Sequence, residues 1–111
     1  MALTHFIEMQ FNRLEEKFHQ SHAVSEALVK EMASLAKKHD IKFVLVGISK
    51  EHETLAMLHF AQENGIPNVD IAVDDWIKEH TNRPHDKHPS AMANKKYAER
   101  LQTYLKAEIL K

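Results

Sequence analysis

The sequence has no cysteine among its 111 residues, which excludes disulfides, a thiolate nucleophile and cysteine-based zinc sites. Compartment stays open on that ground, because many secreted proteins also lack cysteine. Glycine occurs only at Gly47 and Gly65, and proline three times. Phosphate loops, oxyanion turns and all-β hairpins depend on backbone with positive φ, so two glycines leave little room for them. Charge of one sign is also missing: 15 basic and 16 acidic side chains give a formal net charge of −1. No basic field exists to hold a phosphate backbone, so no nucleic-acid partner is expected. Nor is there an apolar run of membrane-spanning length, and "MALTHFIEMQF" carries Glu8 and lacks a basic leader. The chain reads as soluble, cytoplasmic by default, and as one domain over residues 1–111.

What the sequence does contain is periodic. Phe6, Ile7, Met9, Phe11, Leu14 and Phe18 recur at helical spacing, and Val24, Ala27, Leu28, Met32, Leu35 and Ala36 repeat the pattern. Two helices, or one bent helix, are expected before residue 40, with Ser21 as N-cap of the second and Lys37, Lys38 and His39 at its negative end. "IKFVLVGI" (41–48) is an unbroken β-branched and aromatic run, as in a strand buried on both faces. "EHETLAMLHFAQENG" follows as a helix with His59 on its inner side, closed by Asn64 and Gly65. "VDIAVD" (69–74) reads as a second strand, which makes strand, helix, strand a right-handed parallel βαβ unit. Asp74 and Asp75 suit the cap of a short "WIKEH" turn, with Trp76 as a packing anchor. A last helix spans roughly 91–110 with Tyr97, Ala98, Leu101, Tyr104 and Leu105 inward. Two strands are few for a parallel sheet, so completion is expected from a homodimer or from an N-terminal segment that this sequence does not include.

The chemistry-bearing stretch is "RPHDKHPSAMANKKYAERL" (83–101). Ligands of open parallel sheets gather beyond the carboxyl ends of the strands, and this loop follows the second strand. His88 is a candidate general base, since its ordinary titration lies near neutrality, and Asp86 can fix the imidazole tautomer and stabilise the imidazolium. Pro89 limits the loop and Ser90 caps the helix behind it. His80, His85, Asp86 and His88 together make an alternative, a metal site, although neither a His-Glu-x-x-His helix nor a zinc-finger spacing is present. Ser49, in Gly-x-Ser at a strand-to-helix turn, is the one hydroxyl placed like a nucleophile elbow, but no second glycine follows; as a helix N-cap it needs no catalytic role.

The block "HDKHPSAMANKKYAERL" resembles the last block of the SGNH/GDSL hydrolases, where Asp-x-His-Pro or Asp-x-x-His precedes a C-terminal helix. The order of "KFVLVGI", a helix, "GIPNVDI" and then the acid and base loop is similar as well, over roughly residues 24–106. The resemblance implies a three-layer α/β/α flavodoxin-like sandwich with a partial parallel sheet. It implies ester hydrolysis or acyl transfer on a small-molecule or carbohydrate ester, without a cofactor. Residue by residue it makes Asp86 the acid and His88 the base of a Ser-His-Asp triad. Ala93 and Asn94 stand where the family usually has Gly-His, and Ser90 where it has an amide. The Gly-Asp-Ser nucleophile block, the oxyanion glycine and the asparagine block have no counterpart here. The sequence is therefore expected to be the C-terminal portion of such an enzyme, inactive alone. The competing class is a non-enzymatic α/β module that self-associates through its open sheet edge.

Overall fold

A computed structural model describes residues 2–111, apart from the side chains of residues 16, 18 and 19. The elements run α1 (Ala2–His19), α2 (Ser21–Lys38), β1 (Leu45–Gly47), α3 (His52–Glu63), β2 (Asn68–Asp70), a 3₁₀ turn (Lys78–His80) and α4 (Ala91–Tyr104), which ends in a π turn (Leu105–Ile109). β1 and β2 pair in parallel, with Leu45 opposite Asn68 and Gly47 opposite Asp70. The βαβ unit expected from the sequence is therefore present.

The three-layer flavodoxin-like sandwich is not. The chain is 63% helical and its sheet has only two strands. Both strands are also shorter than their apolar runs, for a local reason. Pairing would extend backward through Ile66, but its N–H is committed to Ala61 C=O (2.9 Å), and Pro67 has no N–H at all. At the other end the Ala72 N–H is taken by Asp70 Oδ1 (2.9 Å). The ladder closes between those two points, from Leu45 N–H on Pro67 C=O to Ile71 N–H on Gly47 C=O.

Both strands are launched by the same device. At the end of α2, Asp40 takes a left-handed φ of 54°; its N–H reaches Lys37 C=O and that of Ile41 reaches Ala36 C=O. At the end of α3, Gly65 (φ 66°) does likewise, with Gly65 N–H on Gln62 C=O and Ile66 N–H on Ala61 C=O. The second stop carries the hydrophobic contact that accompanies such ends, because Ala61 and Ile66 join Val29 in the core. Phe43, Leu45, Met57 and Ala33 pack around these three.

α1 lies outside this core. Gln20, also left-handed (φ 52°, ψ 43°), separates it from α2, and its apolar residues, Phe11 among them at 65% exposure, face outward. The radius of gyration of 16.4 Å exceeds the roughly 13 Å of a compact chain of this length, as a projecting helix requires. Ser21 begins α2 rather than capping it. Phe18, placed on the apolar face by its spacing, lies outside the described side chains.

At Gly47 α3 comes close against β1. A Cβ there would stand 2.7 Å from Leu58 Cδ1 and 3.0 Å from Thr54 Cγ2. Gly47→Val is expected to lower stability by about 1–3 kcal/mol through overpacking, read as a lower urea midpoint at unchanged slope; an unchanged midpoint would show that α3 does not press on β1.

Candidate functional site

The segment from β2 to α4 is built on a buried histidine. His80 is 3% exposed, and both its ring nitrogens are engaged: Nδ1 with Asp74 C=O, Nε2 with Lys96 Nζ at 2.6 Å. A carbonyl can only accept and an ammonium can only donate, so the proton sits on Nδ1 and Nε2 receives. The imidazole thus joins the chain just after β2 to α4. The backbone adds to this, with Ser90 N–H on His80 C=O (2.9 Å), a bridge between Thr81 and Pro89, and the Ser90 hydroxyl on Glu79 C=O. Ser90 Oγ also accepts from Ala93 N–H at 3.2 Å, which is the N-cap expected for α4.

The loop closed by these bonds carries Asp86 and His88. Its neck is Asn82 N–H on His88 C=O (3.0 Å), and its inner turn is His85 N–H and Asp86 N–H on Asn82 C=O. Asp86 Oδ1 accepts the His88 backbone N–H at 2.8 Å and lies 3.3 Å from His88 Nδ1. The His88 amide is the main cause that holds the Asp86 carboxyl below its ordinary value of 3.8; desolvation, next in size, opposes it, and the imidazole and Asn82 add to the lowering. Both side chains are on the solvent side, His88 with 84% of its side chain exposed.

A cleft of about 460 Å³ opens beyond the carboxyl ends of both strands. Ser49 and Lys50 from the end of β1, Asp75 and Trp76 after β2, and Thr81 and Lys87 from the loop are among its walls. Lys87 and Pro89 line it while Asp86 and His88 do not. The Ser49 hydroxyl is bonded to Thr54 Oγ1 (2.6 Å) and receives the Glu51 N–H at 3.4 Å. Ser49 steadies the start of α3, whose N-cap residue is Glu51; no bond joins it to His88.

Other candidates from the sequence are dispersed. No group of three metal-capable side chains converges among the described residues, and both His80 nitrogens are used within the protein. His59 is exposed and pairs with Glu63 at 2.9 Å rather than facing the core. Trp76, expected as an anchor, is 89% exposed at the cleft rim, and its backbone N–H is held by Asp74 Oδ1 (3.0 Å). The tie from His80 to Lys96 spans 16 residues and has no local sequence signature. Among the described residues no helix is long and apolar enough to cross a membrane.

No protein-family model matches the chain, and comparison with curated proteins and with solved structures gives no match.

Two outcomes follow from this geometry. His80→Leu leaves the Asp74 carbonyl and Lys96 without their partner and is expected to destabilise by about 1–3 kcal/mol, measured by urea unfolding; a neutral substitution would deny the histidine its structural role. For Asp86 the folded carboxyl titrates lower than the unfolded one, so its hold on the loop is complete above pH 3.8 and is lost as pH falls through the lower folded value. The His88 amide proton resonance should therefore move with a midpoint below 3.8, and Asp86→Asn should abolish that movement; a midpoint above 3.8 contradicts the contact.

Proposed function

We propose that the loop from Asn82 to Ser90 is the acid and base segment of a serine-type ester hydrolase or acyltransferase of the SGNH/GDSL kind. The observation that supports it is the placement of the Asp86 carboxylate against His88 Nδ1 at 3.3 Å, which leaves Nε2 turned outward with no partner among the described residues. In that arrangement Nε2 removes the proton of a serine hydroxyl as its oxygen attacks an ester carbonyl, and Asp86 stabilises the imidazolium that results. The same proton passes to the departing alcohol, and water or an acceptor alcohol then takes the acyl group from the serine. The substrate class is a small-molecule or carbohydrate ester.

The serine itself comes from polypeptide outside this sequence. Ser49 is committed to Thr54 and Glu51, and the two glycines are used elsewhere, Gly47 under Leu58 and Gly65 at the end of α3. One missing oxyanion donor alone costs about 3 kcal/mol of transition-state stabilisation, so the chain by itself is expected to turn over esters negligibly.

The experiment is complementation. Mixed with the nucleophile-bearing segment of an SGNH hydrolase, the chain should hydrolyse a chromogenic acetate ester, and His88→Ala should lower that rate at least about a thousandfold. Turnover by the chain alone, or a mixture indifferent to His88→Ala, contradicts the reading.

A further inference from the structure

The two outer edges of the sheet differ chemically. At both ends of β2 the outward-facing backbone groups are occupied by the chain's own side chains. Asp70 Oδ1 takes the Ala72 N–H, Arg100 donates to the Ala72 C=O, and Asn68 Nδ2 donates to the Ile66 C=O at 2.9 Å. Only the groups of Asn68 and Asp70 remain between those two ends, and Asp70 sets a carboxylate among them. Along β1 the parallel ladder uses the backbone of Leu45 and Gly47, so the N–H and C=O groups of Val44, Val46 and Ile48 point the other way. Among the described residues the amides of these three have no hydrogen-bond partner.

Apart from the short length of β1, nothing shields this edge in the ways that native sheets use. Residues 43 to 48 contain no charge and no proline, and the nearest lysine, Lys42, is drawn aside to the Ile109 C=O at 2.8 Å. A groove of about 270 Å³ runs along β1, walled by Val46 and by Thr54, Met57 and Leu58 of α3. It offers side chains of an added strand a place beside the helix.

We infer that β1 pairs with β1 of a second copy, antiparallel across a two-fold axis at Val46. Val46 then meets its own equivalent in a pair that exchanges both backbone bonds, and Val44 meets Ile48 on either side. Every outward donor and acceptor from 44 to 48 is satisfied. The facing side chains are all β-branched, the class that pairs best across strands. Such an assembly closes at two copies and joins the two small sheets into one of four strands. The parity of the ladder selects these residues: a strand shifted by one position would present Leu45 and Gly47, whose backbone groups are already used. The inference does not depend on the hydrolase reading.

Light scattering and amide exchange on the full chain test it together. The expected result is a two-copy mass that halves in Val46→Pro, which removes one edge N–H and leaves the β1–β2 ladder intact. The Val44, Val46 and Ile48 amides of the unaltered chain should also exchange more slowly as concentration rises. If Val46→Pro fails to fold, the exchange data decide alone. A monomer at all concentrations overturns the inference. So does an oligomer with unprotected edge amides, or one larger than two copies.

Discussion

A buried imidazole without a partner on each nitrogen costs a few kcal/mol, so the two groups that satisfy His80 have to stay where they are. One is the carbonyl of Asp74, just past β2; the other is the ammonium of Lys96, in α4. Between them lie the 3₁₀ turn, the whole loop from Asn82 to Ser90 and the first turn of α4. Their positions follow from this one ring and from the backbone bonds beside it. Arg100, one turn further along α4, adds a second tie to the strand exit at Ala72. α4 has few fully buried residues, Ala93 alone, so it is held to the sheet by polar links at least as much as by apolar packing.

That constraint explains why an exposed loop can hold a defined geometry. Asp86 and His88 are on the surface, where an isolated ion pair is worth little. Their contact is local, two residues apart, and rests on a backbone bond that the carboxylate accepts from His88 itself. The neck bond from Asn82 to His88 and the bridge from Thr81 to Pro89 fix the two ends. The loop therefore needs no core of its own, only a rigid base, and His80 supplies that base. Thr81 Oγ1 is buried in the same place with no partner, the one unsatisfied side-chain atom found there.

Much of this was legible in the residues. Spacing marked α2, α3 and α4, the strand–helix–strand order predicted parallel pairing, and the stop at Gly65 and the helix start at Ser90 stand where their chemistry places them. The closeness of Asp86 to His88 was legible too, because a separation of two residues leaves the side chains little distance to cross. What was not legible depends on groups far apart in sequence or on backbone accounting. The strands are shorter than their apolar runs because particular amides, those of Ile66 and Ala72, are claimed by other acceptors. The three-layer sandwich was implied by the resemblance of the Asp-x-His-Pro block and the helix after it, and the chain does not form the further strands that such a sandwich needs. The role of Lys96 was not legible, since nothing in "KKYAER" announces a histidine sixteen positions earlier. Trp76 misled because its hydrophobicity suggested burial, whereas the ring stands at the rim of the cleft.

The central claim is that Asp86 orients the His88 imidazole for proton transfer through Nε2. Nitrogen-15 NMR of the side chain at about pH 8, where an ordinary histidine is neutral, reads this directly. The account predicts that His88 carries its proton on Nδ1, facing the carboxylate, and that Asp86→Ala moves the population toward the Nε2 proton. A ring that already carries its proton on Nε2, and is indifferent to that substitution, would contradict it.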